Sequence, residues 1–154
     1  MRLRLFVDPS NATTEDKGQG AIQDLDYVKA LGKRIKDAGF SLLLDFHYSD
    51  TWADPSHQWT PKAWQSLSDE QLLTQIYNYT QSSLQELVAA GATPDFIQIG
   101  NEVSYGILWG ISGTSANRCY TSSSDAVWAR FTNLLKQAGS ACRAVCPEAK
   151  IIIH

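Results

Sequence analysis

The 154-residue sequence has no apolar run approaching the length of a membrane span, so a membrane partner is not expected. No Gly-x-Gly-x-x-Gly or Walker loop follows any apolar segment, which removes the usual phosphate cradle of a nucleotide-binding domain. Basic residues form no stripe and the net charge is −3, which argues against nucleic acid as a partner. Cysteine is scarce: Cys119, Cys142 and Cys146 spell neither a zinc cluster nor a thioredoxin-type pair. Their odd number leaves at least one thiol without an internal partner, although Cys119 with Cys142 or Cys146 is a pairing open in an oxidising compartment. Nor does Met1–Val7 contain the apolar region of a signal peptide. The sequence starts almost inside a strand, so the expectation is a chain lacking its N-terminal portion.

Aromatic residues, by contrast, are plentiful. Five Trp and six Tyr, several of them among polar neighbours, supply the flat half-polar surfaces that suit sugars, though the same residues also build ordinary cores and interfaces. A hydrophobic fraction of 44% is enough for a sizeable core and excludes disorder. Asn11-Ala12-Thr13 and Asn78-Tyr79-Thr80 match the glycosylation acceptor pattern, weak support for a secreted parent protein.

Periodicity orders the chain as strand, helix, strand, helix, strand, helix, strand. Residues 3–7 read as a strand, 10–21 as loop, and Leu25–Ala38 as a helix with Asp24 as N-cap and Gly39 beyond its end. Phe40–Phe46 reads as a strand covered on both faces. Residues 51–67 form a long loop holding Trp52, Trp59 and Trp64, either a sugar platform or a loop packed on itself. A capping box at Ser68 and Gln71 starts a helix that runs to about Ala90. Phe96–Gly100 is the next strand. A helix then begins near Asp125 and is stopped by Pro147, and Lys150–His154 closes the chain as a strand. This α/β repeat fits a parallel sheet, either doubly wound or part of a (β/α)8 barrel.

Polar residues gather where strands end: Asp45 and His47, Asn101 and Glu102, and His154. One centre fed from successive strand ends is the habit of a barrel enzyme, but a barrel needs eight strands and roughly 250 residues. The 154 residues therefore read as one partial barrel domain. Glu102 is a candidate general acid and Asn101 a substrate clamp. The competing reading is a turn with Asn101 as a helix N-cap. Alternation places Phe96, Gln98 and Gly100 on one strand face and Ile97, Ile99 and Asn101 on the other. Asp45 and His47 share a face, either as a hydrogen-bonded loop anchor or as the polar rim of a site.

The segments Arg4-Leu5-Phe6-Val7-Asp8-Pro9, Asp45-Phe46-His47-Tyr48-Ser49-Asp50 with Trp52-Ala53-Asp54-Pro55, Ile97-Gln98-Ile99-Gly100-Asn101-Glu102, Gly106-Ile107-Leu108-Trp109 and Ile151-Ile152-Ile153-His154 span the chain. Together they resemble glycoside hydrolase family 53, the endo-β-1,4-galactanases built on (β/α)8 barrels. The Asp-Phe-His-Tyr-Ser-Asp-x-Trp-Ala-Asp-Pro string is specific to it, whereas Gly-Asn-Glu alone marks only the wider clan, which includes mannanases, xylanases and cellulases.

The resemblance implies an α/β fold comprising barrel strands two to five, without the first strand and the C-terminal half. It implies that Glu102 is the acid/base and that Asn101 bonds the substrate's 2-hydroxyl. Arg4 would support the nucleophile's charge, with Arg2 as the lesser candidate. Asp45, His47 and His154 would line the sugar site, and Trp52 and Trp109 would contact sugar or shape the site. The nucleophile, a Glu on a later strand, is absent from this chain; neither a metal nor a cofactor is implied for these residues, and the loop through which some bacterial members bind calcium is absent too. The full-length parent would be a secreted enzyme cutting β-1,4-galactan or arabinogalactan of pectin internally with retention, and the isolated fragment would be inactive. A non-catalytic carbohydrate-binding protein is the rival of a different class.

Overall fold

A computed structural model describes residues 1–114 and 116–154. Four strands, β1 (Arg2–Leu5), β2 (Leu43–Phe46), β3 (Phe96–Ile99) and β4 (Lys150–Ile152), form one parallel sheet in the order β1-β2-β3-β4. The order never reverses, so the sheet has no doubly wound switch point and follows the succession of a barrel wall. In register, Arg4 lies beside Asp45, Asp45 beside Gln98, and Gln98 beside Ile152.

The two faces of this sheet have opposite chemistry. Leu3, Leu5, Leu44, Phe46, Ile97 and Ile99 are buried in the main apolar core, which the helices cover. Each such side chain contributes about 1.5–3 kcal/mol on burial. The other face carries Arg2, Arg4, Asp45 and Gln98, and it is here that the polar site is built.

The crossovers are α2 (Leu25–Asp37), α3 (Asp69–Ala89) and α4 (Asp125–Val145); a short α1 (Thr14–Gly18) precedes them. The Asp24 carboxylate accepts the Tyr27 amide and starts α2. At α3 the expected capping box is present: Ser68 Oγ accepts from Gln71 N at 3.2 Å and Gln71 Oε1 from Ser68 N at 2.8 Å. Val28 and Ile35 of α2, Leu72, Ile76, Leu84 and Leu87 of α3, and Leu134, Ala138 and Cys142 of α4 present the buried stripes. Gly32 of α2 allows a close approach: a Cβ there would stand 2.9 Å from that of Ala92.

Three sequence expectations are corrected. The second strand starts at Leu43, not Phe40, which is 57% exposed. The Phe40 amide is spent on the Ile35 carbonyl at the helix end, and the Leu42 amide on Asp95. Residues 10–21 are not all loop, because Pro9–Asn11 forms a 3-10 turn and Thr13 caps α1, a helix too short to reveal a period. The three Trp do not form one platform. Trp64 is buried in the core and meets Tyr79 edge-on at 5.3 Å.

All three thiols are free and buried. Burial pushes the Cys142 thiol up to about 12, with Cys146 adding to the rise. None of the described helices is long and apolar enough to cross a membrane.

Candidate active site

The end of β3 turns on a glycine. Gly100 has φ +86°, and a Cβ there would lie 2.5 Å from Val103 Cγ1, so both conformation and space require glycine. This turn breaks strand alternation and carries Asn101 to the side of Gln98, opposite to the expectation from spacing. Glu102 follows in a left-handed conformation, φ 50° and ψ 51°. A non-glycine residue there costs about 1–2 kcal/mol, which surrounding contacts must offset. The next 3-10 turn, Val103–Tyr105, is preceded by Glu102, so Asn101 is not its N-cap.

Beneath the turn runs a chain of buried polar groups. Asp45, fully buried, accepts from Arg2 Nη2 at 2.6 Å and from Gln98 Nε2 at 2.7 Å. Asn101 Oδ1 accepts from the same two groups, at 2.7 Å from Arg2 and 3.1 Å from Gln98. Two donors on Oδ1 fix the amide's orientation, and Nδ2 donates to the Ala53 carbonyl at 2.7 Å. His47 Nδ1 accepts the Ala53 amide, so its ring hydrogen sits on Nε2, 3.3 Å from Asp45 Oδ2. That contact is too poorly aimed to satisfy Nε2 as a hydrogen bond.

Above this floor opens a cleft of about 780 Å³ lined by, among others, Arg2, Arg4, Trp52, Asn101, Glu102 and His154. Trp59 also faces it and rests edge-on against Trp109 at 5.5 Å. The Arg4 guanidinium stands over the Trp52 ring at 4.9 Å. Trp52 in turn packs edge-on against Phe6 and His47. The His154 carbonyl accepts the Val103 amide at 2.7 Å, which holds the end of the last strand against the turn after Glu102.

Five of the eight residues singled out from the sequence, Arg4, Trp52, Asn101, Glu102 and His154, thus line one space, in different roles. Arg2, rather than Arg4, is bonded into the Asp45–Asn101 chain. Asp45 and His47 lie under the cleft and not at its rim. Trp109, 1% exposed, backs Trp59 and does not itself line the cleft. Two glutamines belong to the site without a sequence expectation behind them. Gln98 is a buried carboxamide in an apolar strand, and the rule that flagged Asp45 applies to it equally. Gln58, 2% exposed, directs Nε2 at the carbonyls of Asn101 (2.6 Å), Asp54 (3.2 Å) and Glu102 (3.3 Å). A loop position gives no sequence signal for that.

Below the loop, Asp50 accepts from the amides of Asp8 and Lys62 and from Asn11 Nδ2, joining two loops beside Trp52. Burial pushes its carboxyl above the usual range, while the Ser10 hydroxyl holds the exposed Asp8 below it. Among the described residues no group of three or more His, Cys, Asp or Glu is placed to hold a metal ion.

Chemically, the cleft sets a carboxyl beside an oriented carboxamide, with indole faces on the flanks and room for a chain-like ligand. The family model described as "Glycosyl hydrolase family 53" matches residues 1–154. An uncharacterized protein from the bgaB 5′ region of Niallia circulans is 42% identical over the whole chain, which spans 39% of it. An arabinogalactan endo-beta-1,4-galactanase of Thermothelomyces thermophilus is 38% identical, again over the whole chain and 41% of the relative. The structure of the Ignisphaera aggregans GH53 catalytic domain superposes with a TM-score of 0.81 at 39% identity, over 99% of this chain and 39% of that one. The chain thus spans about 40% of the length of these relatives, and its fold is a partial TIM barrel.

Proposed function

The chain belongs to glycosyl hydrolase family 53, and we propose that the complete protein hydrolyses β-1,4-galactosidic bonds within galactan or arabinogalactan. The arabinogalactan endo-beta-1,4-galactanases among its relatives support the substrate class. The observation that carries the mechanism is Glu102, placed beside the oriented amide of Asn101 in a cleft walled by Trp52 and Trp59. In this reading the Glu102 carboxyl protonates the leaving glycosidic oxygen and then, as carboxylate, takes a proton from the water that enters.

Asn101 Nδ2 keeps one hydrogen beyond the bond to Ala53, and that hydrogen is offered to the sugar's 2-hydroxyl oxygen. Trp52 and Trp59 stack on sugar faces, with Trp109 behind. Retention requires a second carboxylate about 5–5.5 Å from the first, to attack the anomeric carbon from the opposite side. Asp45 is committed to Arg2 and Gln98 and buried under the cleft, so it does not serve. The nucleophile is assigned to a later barrel strand outside these residues, and the 154 residues alone are expected to be inactive. A secreted enzyme acting on the galactan of pectin fits this chemistry.

The test is product analysis of the complete protein on galactan, mannan, xylan and cellulose. Internal shortening of galactan to mixed oligosaccharides is expected. Cleavage of another polysaccharide, binding without cleavage, or Glu102-dependent turnover by the isolated 154 residues would each contradict the reading.

A further inference from the structure

We propose that Gln58 is a positioning residue for the proton-donating carboxyl of Glu102. The inference rests on the acid/base reading above and assigns a role to a loop side chain that touches no reacting atom. Three observations carry it.

First, Gln58 Nε2 is surrounded by carbonyl oxygens: Asn101 at 2.6 Å, Asp54 at 3.2 Å and Glu102 at 3.3 Å. An oxygen in that position would face three acceptors, so the contacts themselves orient the amide. Second, these bonds fall on the peptide groups that define Glu102. Its own carbonyl and the preceding one are tied to a separate loop, and its φ of 50° is a conformation that a glutamate leaves unless held. Third, the loop is itself anchored. The Trp109 amide donates to the Gln58 carbonyl at 2.9 Å, and the Thr60 amide to that of Gly110 at 2.9 Å. Gln58 is 2% exposed, so water does not replace its bonds without rearrangement.

Loss of the clamp lets the Glu102 peptide relax towards ordinary dihedrals, which swings the carboxyl away from the glycosidic oxygen. Substrate binding through the indoles is left in place. In the first, bond-breaking step the consequence is selective: a leaving group that needs a proton suffers, and one that departs unaided does not.

The complete enzyme and its Gln58→Leu and Gln58→Glu variants are assayed on aryl β-1,4-galactobiosides with phenol or dinitrophenol as leaving group. For Gln58→Leu, kcat/KM on the phenyl substrate, which reports the glycosylation step, is expected to fall by about 10²-fold, within the range of acid assistance. The fall in kcat/KM on the dinitrophenyl substrate is expected to be no more than about threefold on the same scale. The ratio of the two rates, taken on one preparation, is independent of how much protein has folded. Gln58→Glu places a carboxylate against three carbonyls and should be worse at neutral pH. It should recover relative to wild type as pH falls and the protonated carboxyl regains a hydrogen to donate.

Equal losses on both substrates, or no loss on either, would overturn the assignment. A wild-type enzyme inert towards both substrates would instead strike at the acid/base reading, and the role of Gln58 would fall with it.

Discussion

Glu102→Gln in the complete enzyme lowers kcat on galactan by about 10²–10⁴-fold, the usual worth of general acid–base assistance. This is the largest effect expected of any substitution in the chain. The amide keeps the shape and polarity of the side chain but has no acidic hydrogen to give, so KM should change far less than kcat. The damage scales with the basicity of the leaving group, because the missing proton matters most where the departing oxygen is most basic. Initial rates on galactan and on activated aryl galactobiosides measure both halves of the prediction. A Glu102→Gln enzyme within a few-fold of wild type on galactan would remove Glu102 from the chemistry.

The second large effect is on stability. Asp45→Ala should destabilise the protein by about 2–4 kcal/mol, read as a shift of the denaturation midpoint at unchanged slope. Asp45 is fully buried and receives Arg2 Nη2, Arg2 Nε and Gln98 Nε2, with His47 Nε2 facing it. Alanine removes the acceptor and leaves those donors behind, and stranded donors cost more than a lost bond. The Arg2 side chain is 36% exposed, so its charge can recover some water, and the figure lies below that for a wholly enclosed pair. Activity should fall as well, because Arg2 and Gln98 are the two donors that orient Asn101. An Asp45→Ala protein as stable as wild type would mean that the polar floor carries no net stabilisation.

The same floor shows where sequence reasoning succeeds and where it stops. Helices were legible because their signals are local: Asp24, Ser68 with Gln71, and Pro147 mark ends by chemistry that needs no tertiary partner. The parallel repeat was legible too, but its sheet order was not, since a barrel wall and a doubly wound sheet share one pattern until the order β1-β2-β3-β4 is seen. Glu102 and Asn101 stand out by position after a strand, yet strand alternation puts Asn101 on the wrong side. Alternation assumes extended backbone, and Gly100 at φ +86° ends it one residue early.

Arg2 and Arg4 cannot be ranked from spacing either. They share a strand face, and only the reach of each side chain decides that one bonds Asp45 while the other covers Trp52. Gln58 was invisible for a plainer reason. Its partners are backbone carbonyls, two of them more than 40 residues away, and backbone leaves no trace in residue type.

The central claim is that Glu102 acts as acid/base opposite a nucleophile on a later strand, and azide rescue of Glu102→Ala in the complete enzyme tests it most directly. With dinitrophenyl β-1,4-galactobioside, the leaving group departs unaided, the nucleophilic step is intact, and azide takes the place of the water that Glu102 no longer activates. Azide displaces the enzyme carboxylate at the anomeric carbon, so two inversions give the β-galactosyl azide and restore turnover. Formation of the α-galactosyl azide would instead make Glu102 the nucleophile, and the absence of any azide adduct or rate recovery would contradict its part in deglycosylation.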